Sequence, residues 1–326
     1  IAGLLVARLR YRRTLLWALG FGAVISLFQA TLPPLPVLLA SRVLEGISHL
    51  AIVVAAPTLI AELSAKRRAG FTLTLWGTFF GVSFAVLVFG GLPLADAFGV
   101  GGLFAAHGLF MALIAIPLAL RLPRIAKDAP HSPLSVRHLL QRHIAIYRSP
   151  SISASGVGWL FYTLCFVSLL TLLPQFIAPD VRALVIGAMP LVSIVSSLTI
   201  GVWLLRFLPA IRVIECGFAL AGLLALTLIA APGHPGVCIA LAAALGLVQG
   251  ASFAAVPQLN GPADDRAAAY GAMAQTGNIG NTLGTPILAA IIAASGNTGA
   301  MSAAAALLFL GLCAHLWLGR RRARAA

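Results

Sequence analysis

Residues 41–63 read SRVLEGISHLAIVVAAPTLIAEL, apolar and long enough to cross a bilayer, yet they carry Arg42, Glu45 and His49. A charge near the middle of such a span costs about 2.5–3.5 kcal/mol on insertion scales, so ionic groups there face protein or a watery cavity and pair. A helix advances about 100° per residue, which puts Arg42, Gly46 and His49 within about 60° of one another, with Glu45 on the adjoining edge. On that shared face Arg42 can attract an anionic group or hold a carboxylate. Glu45 can compensate it or take a proton, and His49 can hydrogen-bond or titrate. The competing reading is that Arg42 snorkels to the headgroups, Glu45 merely neutralises it and His49 packs. A second set of polar residues also falls in apolar stretches: Tyr162 and Gln175; Gln249 and Gln258, with Phe253 between them; and Gln275, Asn278 and Asn281. Unpaired amides are costly in hydrocarbon, so these either line a cavity or hydrogen-bond between helices. Trp76 and His107 are read as packing residues, and Glu62 and Glu215 as partners of nearby basic loops.

The elements that position these groups follow from composition. Sixty per cent of the 326 residues are hydrophobic and nine per cent charged, whereas a soluble domain needs about 25% charged residues to present a wet surface. A bilayer core about 30 Å thick takes roughly 20 helical residues. Ten apolar runs qualify, at 14–32, 36–63, 70–92, 99–121, 153–178, 183–205, 213–231, 236–258, 268–294 and 298–318. Of the 22 Lys and Arg, all but Arg42 and Arg182 fall in alternate connections, and basic residues accumulate on the cytoplasmic side. Loops 8–13, 66–68, 122–152, 206–212 and 259–267 and the basic tail 320–326 are therefore expected in the cytoplasm. The net charge of +14 is then an orientation signal with a secondary attraction to anionic lipid, and nucleic acid is not an expected partner. Four cysteines without C-x-x-C or Cys/His spacing support neither a disulfide framework nor a metal site, and no cofactor is expected.

The two ends of the chain repeat. Gly3, Arg8, Arg12 and Arg13 are echoed by Gly201, Arg206 and Arg212; Gly46, Pro57 and Gly70 are echoed by Gly250, Pro257 and Gly271. Offsets near 200 residues, with both members of each pair on one membrane side, predict two halves of one design in the same orientation. The organisation expected is an N-terminal bundle over 1–121, a cytoplasmic linker over 122–152 that includes an amphipathic stretch after Ser135, and a C-terminal bundle over 153–319. The second half holds six runs and the first holds four, so the chain is read as truncated at its N-terminus, with the first two helices largely missing.

These residues resemble the major facilitator superfamily, whose members pair two six-helix bundles about an axis along the membrane normal. The stretch GLLVARLRYRR is similar to the family's gate loop between its second and third helices, matched at Gly3, Arg8, Arg12 and Arg13. Ala7 stands where that loop has an aspartate, so the acidic contact that helps latch the family's cytoplasmic gate does not carry over. Arg42, Gly46 and Pro57 match the fourth-helix pattern. Gly81 is followed by Val82 rather than by the proline of the drug antiporters, and no subfamily is assigned.

The resemblance implies an all-α polytopic membrane protein. Its expected activity is secondary transport of a small solute by alternating access, coupled to protons, in the bacterial inner membrane and as a monomer. Substrate and coupling residues are expected among Arg42, Glu45, His49, Tyr162, Gln175, Gln249, Phe253, Gln258, Asn278 and Asn281. Gly77, Gly81, Gly277, Gly280 and Gly284 would let helices cross closely. No phosphate-binding GxxxxGK[ST] loop is present, so no ATP motor is expected within the chain. An intramembrane enzyme, suggested only by serines beside glycines in GISH and SASG, and a non-transporting sensor or scaffold are the alternatives.

Overall fold

The computed structural model describes residues 11–65, 67–123 and 136–324, and all regular structure among them is helical. In the first half, α1 is Tyr11–Gln29, α2 Leu35–Leu63, α3 Ala69–Gly77, α4 Phe79–Val86 and α5 Leu92–Arg121, with a wider π turn at Leu87–Gly91 before α5. Helix α6, Val136–Arg148, lies between the halves in sequence. In the second half, α7 is Ile152–Leu172, α8 Pro179–Ser196, α9 Val202–Leu204, α10 Ala210–Ala230, α11 Pro235–Leu259 and α12 Ala263–Ala323.

Proline sets many of the helix starts. α2, α5, α8 and α11 each have proline in the first turn, where its missing N–H would have had no helical partner and its φ is already helical. Pro57 in α2 and Pro257 in α11 sit inside their helices at matching places in the repeat.

Seven described runs are long and apolar enough to cross a membrane: α2, 89–121, 152–176, 179–204, α10, α11 and α12. The difference from the ten expected runs has local causes. α1 falls outside the seven, the expected run 70–92 is interrupted at Thr78 between α3 and α4, and the last two expected runs are joined in α12. A continuous 61-residue helix would be about 90 Å long, three times the bilayer core. Gly296 breaks it with φ 60° and ψ −154°, a backbone region that side-chain-bearing residues avoid. Gly99 breaks α5 in the same way, with φ 72° and ψ 172°. The other two positive φ values among the described residues, at Leu32 and Gly233, lie 201 positions apart in the chain numbering, and Gly99 and Gly296 lie 197 apart. The repeat seen in the sequence therefore reappears in the backbone turns at one end of the bundle.

Within the first half α1 packs against α2 and α5; within the second, α7 packs along α12, α10 against α11 and α12, and α8 against α11. The halves meet where α3 packs on α11, α2 on α12 and α4 on α8. The outer surface is apolar: Val43 is 73% exposed and Leu120 80%. Patches of this kind are stable against lipid and not against water.

The described basic connections collect at one end of the bundle. Arg12 donates to the carbonyls of Leu122 (3.0 Å) and Ala119 at the end of α5. Arg266, at the start of α12, pairs with Glu62 at the end of α2. Arg321 and Arg322, at the end of α12, donate to the carbonyls of Arg148 and Pro150 before α7. Of the expected linker, α6 is described; Tyr147 on it donates to Gln275 (3.3 Å), and Ile146 packs with Ala268 and Ala272 of α12. His107, read as a packing residue, is exposed on α5 and hydrogen-bonds Ser26 of α1 (2.9 Å).

Candidate functional site

Between the halves lies a cavity of about 160 Å³. Helix α2 contributes His49, α4 Phe79, α7 Trp159, Tyr162 and Phe166, α11 Gln249 and Phe253, and α12 Asn278 and Asn281. Trp159, Tyr162 and Phe166 are spaced so that they share one face of α7. Their rings stack in a row, with centroids 4.6 Å apart for the first pair and 5.1 Å for the second. Phe253 meets Trp159 edge-on at 5.1 Å. Helix α12 reaches this row because glycine faces α7: a Cβ on Gly277 would lie 2.7 Å from the Trp159 indole nitrogen. Thr276 fastens the crossing by donating to the Gly156 carbonyl at 2.8 Å.

Gln249 has two roles. It lines the cavity and its amide donates to the Gly77 carbonyl in the other half, at 2.6 Å, while its own oxygen accepts from Ser193 at 3.4 Å. The carbonyl sits where α3 ends, just before Thr78 interrupts the helix. The halves come together here on small residues: a Cβ on Gly77 would be 3.0 Å from Phe253, and one on Gly250 would be 2.5 Å from Thr74.

Further toward the basic end, more links close the space between the halves. Tyr11 donates to Asp264 at 3.2 Å, and Arg266 meets Glu62 at 3.4 Å, both side chains 15% exposed. Tyr11 stands at the polar start of α1. Burial first, and then the Asp264 carboxylate, push its phenol above the ordinary value, so it remains a donor.

His49, Tyr162, Gln249, Phe253, Asn278 and Asn281 thus border one cavity. Other residues singled out in the sequence lie elsewhere. Arg42 pairs with Glu45 within α2, and Gln29 of α1 donates to Glu45 at 3.0 Å and to Ser41 at 3.1 Å, so this cluster is internal to the first half. Gln175 donates to the Leu172 carbonyl, and Gln258 accepts from the Ala210 backbone N–H at 2.8 Å, capping α10. Gly3 and Arg8 of the expected gate loop lie outside the described residues; Arg12 binds the end of α5 and Arg13 is exposed. Trp159, Phe166 and Phe79 are lining residues that the sequence reading did not single out. Their signal was the aromatic spacing 159, 162 and 166, which in an apolar helix resembles ordinary core. Among the described residues no group of His, Cys, Asp and Glu is arranged to hold a metal ion.

Two halves, each repeating the other's turns and enclosing a cavity, form the architecture of a membrane transporter. The chain belongs to the major facilitator superfamily, whose sequence model matches residues 1–260. The fold is similar to that of the fucose:proton symporter FucP of E. coli, at 17% identity over 97% of this chain and 86% of that one, with a TM-score of 0.77. A FucP structure in the outward conformation is 18% identical over 97% and 85% of the two chains, with a TM-score of 0.76. The human organic anion transporter MFSD10 is 18% identical over 96% and 79%, with a TM-score of 0.79. No curated protein matches the chain.

Proposed function

We propose that the protein is a proton-coupled secondary transporter that moves a small solute by alternating access, its two halves rocking about the central cavity. The carrying observation is that the cavity lies between the halves, with Tyr11–Asp264 and Glu62–Arg266 joining them beyond it at the basic end. Lys and Arg favour the cytoplasmic side. This supports a cytoplasmic basic end and C-terminus, a bacterial inner-membrane location, ten spans and an outward-facing state. The cavity residues His49, Tyr162, Gln249, Phe253, Asn278 and Asn281 would contact solute. The Arg42–Glu45 pair, held by Gln29, would serve coupling from the rim of the same face. The protein would work as a monomer.

Counterflow in proteoliposomes tests the reading. Exchange of labelled solute against an internal load is expected, with a pH change in a weakly buffered lumen under net flux. A protein that binds solute and never exchanges it contradicts transport. Flux at constant lumenal pH contradicts proton coupling.

A further inference from the structure

We infer that the cavity takes an uncharged solute that carries several hydroxyl groups and one apolar face. The inference rests on the transport reading above and adds the chemical class that the site selects.

Charge is the first discriminator. No Asp, Glu, Lys or Arg is among the described residues that line the cavity. The nearest internal ion pair, Arg42–Glu45, is already neutralised and is tied to Gln29. His49 is the one basic side chain on the described lining; apart from it an anion would find no cation to replace its water, and a cation would find no carboxylate, at the cost that an unpaired charge meets in a low-dielectric site.

Hydrogen-bonding capacity is the second. Much of what borders the cavity is already engaged: Gln249 donates to Gly77, and the Tyr270 hydroxyl donates to the Phe253 carbonyl at 3.4 Å. Of the described residues that line the cavity, two carry a buried polar atom without a partner, the Tyr162 phenol oxygen and Asn281 Oδ1. Tyr162 is 2% exposed. The Tyr162 hydroxyl can donate and accept, and Asn281 Oδ1 is an acceptor in need of a donor. A carboxylate only accepts and leaves Asn281 Oδ1 unsatisfied, whereas an ammonium only donates and leaves the Tyr162 proton without an acceptor. A hydroxyl group does both. Asn278, exposed beside them, offers another amide for a second hydroxyl.

Shape is the third discriminator. The stacked row of Trp159, Tyr162 and Phe166 forms an aromatic wall on α7, and the amides come from α12. A solute with C–H groups on one side and hydroxyls on the other matches two such walls. The volume of about 160 Å³ is below the roughly 300–1,000 Å³ of sites for drug-sized ligands, which points to a solute of monosaccharide size.

The test is thermal unfolding of the detergent-purified protein against a charge-balanced panel: pentoses, hexoses and cyclic polyols; the matching sugar acids; and the matching amino sugars with quaternary ammonium compounds. A ligand that binds the folded state raises the unfolding temperature in proportion to its affinity. The expected result is stabilisation by one or more uncharged polyhydroxyl compounds. Deoxy analogues of the best one should bind at least about tenfold more weakly to the native protein, because a partner atom is again left unpaired. Tyr162→Phe and Asn281→Leu should each weaken the parent compound by a similar factor. Stabilisation by acids or ammonium compounds alone, no response to any uncharged member, or a best ligand indifferent to deoxygenation and to both variants would each overturn the inference. Counterflow with the same ligand separates the two readings: a compound that binds as expected and is not exchanged leaves the class standing and defeats transport. Exchange of a charged solute alone does the reverse.

Discussion

Gln249 on α11 donates a 2.6 Å hydrogen bond to the Gly77 carbonyl at the end of α3, so one side chain both borders the cavity and ties the two halves together. Replacing it with leucine removes the donor and leaves a buried carbonyl unpaired, which costs about 1–3 kcal/mol. Gln249→Leu should therefore lower the unfolding free energy by about that amount. Gln249→Glu should not restore it while ionised, since a carboxylate cannot donate. Unchanged denaturation midpoints for both variants would show that the bond carries no weight.

The repeat pairs Gly46 with Gly250, and the two now have opposite surroundings. A Cβ on Gly250 would press on Ser197 and Thr74, whereas one on Gly46 would meet nothing within 4 Å. Overpacking of this kind costs about 1–3 kcal/mol. An alanine at an open helical site instead gains about 0.5–1 kcal/mol. Gly250→Ala should be destabilised and Gly46→Ala neutral or slightly stabilised, as thermal unfolding of the two variants would read directly.

Tyr11→Phe removes the donor to Asp264 and should weaken closure at the basic end by about 0.5–1.5 kcal/mol, a two- to tenfold change in population. A cysteine at the cavity residue Ala274, in a background without the four native cysteines, should then be labelled faster by a membrane-impermeant reagent applied from that side. Equal labelling rates would remove Tyr11 from the gate.

Arg42→Ala leaves Glu45 with Gln29 as its remaining described hydrogen-bond partner. It should cut transport at least tenfold while the protein still inserts, and Arg42→Ala/Glu45→Gln should recover stability without recovering coupling. Transport at the native rate by Arg42→Ala would place the pair outside the transport cycle.

Much of the architecture was legible because lipid is a demanding solvent. It forces long apolar runs, and it leaves arginine at their ends, which is why the basic residues of 11–13, 148, 266 and 320–322 could be assigned to one side before their contacts were seen. The repeat was legible from Gly46, Gly250, Pro57 and Pro257. The break at Thr78 was not, because Gly70, Thr72, Thr74, Gly77 and Gly81 recur through the same run and only Gly77 adjoins the break. Gly296 was read as part of a connection, whereas the chain stays helical almost up to it and turns on that residue alone. The site divided along the same line. His49, Tyr162 and Asn281 stood out as polar residues in apolar surroundings, while Trp159 and Phe166 were masked by their resemblance to core. The bonds Gln249–Gly77 and Tyr11–Asp264 are tertiary, 172 and 253 residues apart in sequence, and no local pattern announces them.

The central claim is that solute crosses only when the halves part at the end where Tyr11 meets Asp264. Tyr11→Cys/Asp264→Cys in the cysteine-free background, joined by a short bifunctional methanethiosulfonate, tests it in a single counterflow assay. Exchange should stop when the link forms and return when a reductant cleaves it. Full exchange through the linked protein would contradict the account.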